Sequence, residues 1–245
     1  MKIITVLLAD DHTVVREGLR RLLEATDDIA VIGEAENGYR AVAETRRLRP
    51  EVVLMDIAMP LLNGVEAARR IGKEVPTIKV LILSTYSDHQ RVQQAVEAGA
   101  AGYLMKQTAS KNLLRAIRET CKGNGFFSPA IARRSFKQWR NGDAQSNTTA
   151  GAALTWRQTE VLQLIAEGHS NKQMAALMFV SIKTVEKHRQ ALMVKLDIHE
   201  TATLTRYAVS TGVVECHRAP SVPVMAAQWP VGGIDKPCRT TEPTI

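Results

Sequence analysis

Cysteine is scarce in this chain: 245 residues carry only Cys121, Cys216 and Cys238. An odd, scattered trio excludes a disulfide framework and a CxxC metal site, and it suits a reducing cytoplasm. No run approaches the roughly 18 consecutive apolar residues that a membrane span needs. Met1–Ala9 is a short apolar run that meets Asp10 and Asp11. It lacks the small-residue cleavage site of a secretory signal, so secretion is not expected. A polybasic block is also missing. The net charge of +7 and the isoelectric point near 9.5 arise from residues spread along the whole chain. That balance permits an anionic partner such as nucleic acid without identifying one. No internal repeat is found. What is present is apolar material, 45% of residues, enough for one large domain or two small ones.

The first half alternates apolar runs with amphipathic stretches. Ile3–Ala9, Ile29–Gly33, Val52–Ile57, Val80–Leu83 and Gly102–Met105 read as strands. Val14–Ala25, Tyr39–Leu48, Val65–Ile71, Asp88–Ala98 and Leu113–Cys121 carry helical spacing between and after them. Pro50 disfavours helix in the residue before it and ends the second of these. Strands that are apolar without alternation are buried on both faces. Five of them alternating with five helices predict an α/β fold, a doubly wound parallel sheet whose ligands gather at the carboxyl ends of the strands.

Beyond Gly123 the composition changes. A short amphipathic piece, Ile131–Trp139, precedes NGDAQSNTTAGAA, which reads as a flexible linker. Leu154–Glu215 is helical throughout, broken at Gly168–Asn171 and near Phe179–Ser181. The tail from Cys216 holds five of the nine prolines and is expected to be disordered. The expected organisation is therefore a domain at 1–125, a linker with a short helix at 126–153, a smaller all-α domain at 154–215 and a Pro-rich tail at 216–245.

Acids stand at the strand ends. Asp10 and Asp11 follow the first strand, and Asp56 ends the third. Parallel strands carry all three carboxylates to one crevice, where they repel and gain proton affinity. A hard divalent cation relieves that repulsion, and Mg²⁺ suits one or two carboxylates plus waters. Ser84 and Lys106 follow the next two strands, and a hydroxyl and an ammonium can each bind a phosphoryl oxygen. A carboxylate nucleophile, a metal site, a hydrogen-bond donor and a cation are what phosphoryl transfer to an aspartate requires. Each piece alone is weak, since two acids after a strand are more often a solvated loop. Their joint occurrence at several strand ends carries the weight.

These residues resemble the receiver domain of two-component response regulators. The matching segments are LLADDH (7–12), LMDIAMPLLNG (54–64), LS (83–84) and AAGYLMK (100–106). The resemblance implies a flavodoxin-like sheet of order 2-1-3-4-5. It implies Asp56 as phosphoacceptor, with Asp10, Asp11, Asp56 and the Ala58 carbonyl as metal residues. Ser84 and Tyr103 fall on its switch positions and Lys106 on its lysine. Two residues depart from the pattern: Leu61 stands where many members have Gly, and Gln107 where many have Pro.

In the second half, Thr155 and Gln158 form a capping box ahead of an apolar stripe at Val161, Leu162, Ile165 and Ala166, which stops at Gly168. Asn171–Phe179 makes a second helix. Ser181 is a good N-cap for a third, Ile182–Leu196, with Val185, Leu192 and Leu196 inward. Lys183, Glu186, Lys187 and Gln190 face outward, flanked by Thr184, His188 and Arg189. Such a face suits a major groove, Lys toward guanine and Gln toward adenine. Thr184, Arg189, Asn171 and Lys172 can hold phosphates. A small helical bundle with a solvated basic face has the same pattern.

Residues 154–196 resemble the LuxR-type DNA-binding domain. The resemblance implies Glu186, Lys187 and Gln190 as base readers. Thr184, Arg189, Lys183, Asn171 and Lys172 become backbone contacts, with His188 at the groove edge. Trp156 replaces the usual helix-starting Pro, and Asp197 stands where Gly often ends the helix. A last helix near Thr201–Ser210 would carry a dimer contact through Leu204, Tyr207 and Ala208.

Together the halves resemble the NarL/FixJ subfamily of response regulators. The implied protein is a cytoplasmic transcription regulator and not an enzyme. A histidine kinase would phosphorylate Asp56 with Mg²⁺, controlling binding to promoter DNA as a homodimer. The alternatives are a phosphorylation-independent pseudo-receiver and a receiver joined to a helical module that does not bind DNA.

Overall fold

The computed structural model describes residues 2–85, 89–107, 110–127 and 154–214. The first part is a six-stranded parallel sheet in the order β2-β1-β3-β4-β5-β6. Its strands are β1 (Ile4–Ala9), β2 (Ile29–Ala35), β3 (Val52–Asp56), β4 (Lys79–Ser84), β5 (Gly102–Met105) and β6 (Phe126–Phe127). The helices are α1 (Thr13–Glu24), α2 (Gly38–Leu48), α3 (Gly64–Glu74), α4 (His89–Glu97) and α5 (Ser110–Cys121).

Side chains leave a strand on alternate faces. Both faces here are covered, so neither needs polar residues. Leu7, Val53, Met55, Ile82 and Tyr103 pack with Ala41, Ala67, Ile71 and Val92 of α2, α3 and α4. Val6, Leu8, Leu54, Leu81 and Leu104 pack on the other side with Leu23, Leu113 and Ile117 of α1 and α5. Asn37 and Asn63 cap α2 and α3, accepting from the backbone N–H of Arg40 and Glu66.

The sheet has one strand more than the five read from sequence. After α5, Gly123 at φ 88° reverses the chain, and the Phe126 N–H donates to the Ala101 carbonyl. Phe126 then lies opposite Gly102. A Cβ on Gly102 would fall 2.3 Å from the Phe126 carbonyl oxygen, so the glycine admits the extra strand. A two-residue strand carries no periodicity, which is why 126–127 read as linker.

Four helices make the second part: α6 (Trp156–Ala166), α7 (Asn171–Met178), α8 (Ile182–Leu196) and α9 (Thr201–Ser210). The Thr155–Gln158 capping box is formed, and Ser170 with Gln173 makes another at α7. Ser181 accepts from the Thr184 N–H at the start of α8, and Asp197 ends that helix at φ 53°. Val161, Leu162, Met174, Val185, Leu192, Leu204 and Ala208 form the core. Leu204 and Ala208 are fully buried, so of the three residues expected at a dimer contact only Tyr207 reaches the surface. The helical period placed all three on one helix, and packing of α9 on α6 took two of them inward. The expected linker helix at Ile131–Trp139 and the tail from Cys216 lie outside the described residues.

Candidate functional site

Parallel strands end together, and their ends carry the chemistry. Asp10 and Asp11 follow β1, Asp56 is the last residue of β3, Ser84 ends β4 and Lys106 follows β5. One ligand atom from each of Asp10, Asp11, His12 and Asp56 falls within 4.8 Å of all the others. Lys106 Nζ bridges two of these acids, 2.8 Å from Asp10 Oδ2 and 2.7 Å from Asp56 Oδ2. The Ile57 N–H donates to the other oxygen of Asp56 at 2.8 Å. Gly64, at the start of α3, crosses so closely that a Cβ there would sit 1.8 Å from the Asp56 carbonyl oxygen.

Asp10 and Asp56 are 2% and 4% exposed. The Asp56 carboxyl is pushed up to about 6, chiefly by burial, with Lys106 opposing the rise and the Asp10 and Asp11 charges adding to it. Burial works against the Lys106 ammonium, but Asp56 and Asp10 outweigh it and raise its pKa. Lys106 answers Asp10 and Asp56 while Asp11 faces His12, in a hard crevice rich in carboxylate oxygens. That donor set fits a divalent cation such as Mg²⁺.

Sequence reasoning missed His12. Its Nδ1 lies 2.8 Å from Asp11 Oδ1, and its backbone N–H donates to Asp10 Oδ1 at 2.9 Å. The adjacent letters DDH were the available signal. Ser84 and Tyr103, the expected switch pair, are both buried. Tyr103 lies inward, in the core between the sheet and α3 and α4. Ala58 is half-buried, two residues beyond Asp56.

On α8, Lys183, Glu186, Lys187 and Gln190 are exposed, while Thr184, His188 and Arg189 are half-buried. Lys172 is exposed beside the half-buried Asn171 at the start of α7. Arg189 is engaged within the module. Its guanidinium donates to Asn171 Oδ1 and to Thr201 Oγ1, both at 3.1 Å, tying α7, α8 and α9 together.

The two parts meet through α6, and the outward residues of α8 stay uncovered. Glu160 and Gln163 of α6 are almost fully buried. Glu160 accepts from the Tyr39 hydroxyl and from the Arg70 and Arg157 guanidinium groups. Burial raises the Tyr39 hydroxyl above the ordinary phenol range, and the Glu160 charge adds to the effect. Trp156 is a platform for cations, with Arg157, Arg70 and Lys73 within 4.2, 5.5 and 5.6 Å of its ring. Gln163 Nε2 donates to the Met59 carbonyl, and its Oε1 accepts from the Asn63 N–H, both at 2.9 Å. The Leu61 N–H donates to the Glu167 carboxylate at 3.0 Å. At the far end, Gly212 leaves room for the Arg91 guanidinium of α4. Glu160 and Gln163 of α6 and Glu167, the residue that caps its end, form one polar stripe beside Val161, Leu162, Leu164 and Ile165, a signal legible in sequence without its partner.

An acid pocket at the carboxyl edge of a parallel sheet, joined to a capped helix-turn-helix, defines a receiver coupled to a DNA-binding module. Residues 6–118 match the family described as response regulator receiver domain, and residues 152–208 match bacterial regulatory proteins of the luxR family. The response regulator protein VraR of Staphylococcus aureus is 34% identical over 212 residues, covering 86% of this chain and 99% of that protein. A structure of the RcsB response regulator of Salmonella typhimurium is 25% identical with a TM-score of 0.59, covering 86% of this chain and 98% of that one. A LuxR-family two-component response regulator from Aurantimonas sp. SI85-9A1 is 33% identical with a TM-score of 0.54, over 56% of this chain and 99% of that one. The chain belongs to the response regulators of the NarL/FixJ type, a receiver followed by a LuxR-type helix-turn-helix.

Proposed function

We propose that Asp56 accepts a phosphoryl group from a partner histidine kinase and that α8 then reads promoter DNA. The observation that carries this is the bridge from Lys106 Nζ to Asp10 and Asp56 inside a cluster of three acids. An Asp56 oxygen attacks phosphorus, and the bond to the donor imidazole nitrogen breaks. Lys106 and Ser84 bind the oxygens of the transferred group. Asp10, Asp11, Asp56 and the Ala58 carbonyl would hold Mg²⁺, which neutralises phosphoryl charge when bound.

The receiver takes residues 1–125, with Phe126–Phe127 as its edge, and the DNA module takes 154–215. Glu186, Lys187 and Gln190 read bases, with His188 at the groove edge. Lys183, Thr184, Asn171 and Lys172 hold phosphates, and Arg189 supports them through Asn171. RcsB, a relative in fold and sequence, has been solved as a DNA complex and as dimers on DNA. A homodimer here would set two α8 helices about one DNA turn apart. Among the described residues, no helix is long and apolar enough to cross a membrane, and we place the regulator in the cytoplasm.

The test is mass measurement after incubation with a small phosphodonor and Mg²⁺, followed by DNA selection with both forms. The expected result is one added phosphoryl group, lost in Asp56→Asn, and a changed affinity for the selected DNA. No mass gain, or a gain that survives Asp56→Asn, overturns the reading.

A further inference from the structure

Leu61 has an unusual backbone. Its φ is 68°, in the left-handed region where a side chain is crowded by the carbonyl oxygen. It lies in the loop from Ile57 to Asn63, which leaves the end of β3 directly after Asp56. Within the receiver, the Met59 N–H donates to the Ile57 carbonyl and the Leu62 N–H to the Pro60 carbonyl, and the Gly64 N–H of α3 closes the base of the loop on the Ile57 carbonyl at 2.8 Å. The outer part, Leu62, is held by the Gly38 N–H of α2. The middle is held from the DNA module. Gln163 takes the Met59 carbonyl and the Asn63 N–H, and Glu167 takes the Leu61 N–H with both carboxylate oxygens, at 3.0 and 3.1 Å. Gln163 Nε2 also donates to Glu167 at 2.8 Å, so the two side chains act as one clamp. The Leu61 side chain packs against the apolar core of the helical module.

We propose that Gln163 and Glu167 are positioning residues of the acid pocket, holding the strained loop that carries the Ala58 carbonyl. This rests on the reading of that pocket as a divalent-cation site. Without the clamp, Leu61 relaxes to negative φ, the peptide on either side turns, and Ala58 and Met59 shift with it. A glycine at 61 adopts that left-handed conformation without the penalty, so the loop no longer needs the clamp to offset it. The DNA module thereby sets the cation affinity of a pocket none of whose ligands it supplies.

The experiment counts free Mn²⁺ by electron paramagnetic resonance in titrations of full-length wild type, Glu167→Ala, Leu61→Gly and the double variant. The expected result is binding about fivefold weaker in Glu167→Ala, from the cost of the left-handed conformation. Leu61→Gly binds as wild type, and the double variant recovers to within about twofold of it. Wild-type affinity in Glu167→Ala, or no recovery in the double variant, overturns the proposal. A wild-type protein that binds no Mn²⁺ overturns the pocket reading instead. Gln163→Ala with the same rescue supplies the measurement should Glu167→Ala fail to fold.

Discussion

Lys106 Nζ lies 2.7 Å from Asp56 Oδ2, and the same ammonium reaches Asp10. Removing it leaves two buried acids facing each other with Asp11 nearby. Lys106→Ala should destabilise the receiver by roughly 2–4 kcal/mol when divalent cations are chelated. Added Mg²⁺ should recover a large part of that loss, since the cation replaces the missing charge. Urea unfolding with chelator and with Mg²⁺ measures both, and a loss indifferent to Mg²⁺ counts against a shared ion site.

Glu66 of α3 is 5% exposed, with Arg69 Nε 3.5 Å away. Burial raises its carboxyl pKa above the ordinary value of 4.5, against the pull of Arg69 and Arg70. The folded protein therefore holds this proton more tightly than the unfolded chain. The associated stability is fully present below pH 4.5 and is lost as pH rises through the folded value. Glu66→Gln should raise the Tm by a few degrees at pH 7.5, and the gain should vanish below pH 4.5. Calorimetry across that range decides; a pH-independent difference contradicts the buried-charge account.

Glu160 of α6 has no solvent exposure and depends on Arg70, Arg157 and Tyr39. Arg70→Ala should cost about 1–3 kcal/mol by leaving that carboxylate short of partners. Combined with Glu160→Gln, part of the loss should return. A double-mutant cycle by denaturant unfolding measures the coupling, and additivity of the two changes would mean the pair does not join receiver to DNA module.

Lys187 and Lys172 are both exposed cations of the helix-turn-helix, and the proposed function gives them different roles on DNA. Lys187→Ala should relax preference at one base pair, worth about 1–3 kcal/mol. Lys172→Ala should weaken binding to all sequences and lower the salt slope by about one. Salt-titrated binding to selected and scrambled duplexes distinguishes them. Equal effects on both duplexes from Lys187→Ala would remove it from the base readers.

Much of the receiver is legible before any coordinates. Val52–Ile57 reads as a buried strand because it has no polar alternation, and the observed strand Val52–Asp56, covered on both faces, explains why. Asp10, Asp56 and Lys106 could be placed at one edge because parallel strands share a direction. The helical module shows its caps through Thr155, Gln158 and Ser181, whose bonds span only three residues. Features without local periodicity were harder. Phe126–Phe127 is too short to declare itself, and Leu204 with Ala208 could face a partner or a core equally well by spacing alone.

Two of the departures, Leu61 and Trp156, show where local reading stops. In sequence each is a residue out of place; in the fold both sit between receiver and DNA module, one against the helical core and one beneath three cations.

Sequence alone determined the alternation of the first five strands and helices, the acids at strand ends and the capped helices, because each rests on chain directions and contacts within a few residues. Only the tertiary structure decided that Lys106 spans Asp10 and Asp56, and that Glu167 grips Leu61 from 106 residues away. Periodicity tells which side of an element faces inward. Which distant atom it meets there is settled by how whole elements pack.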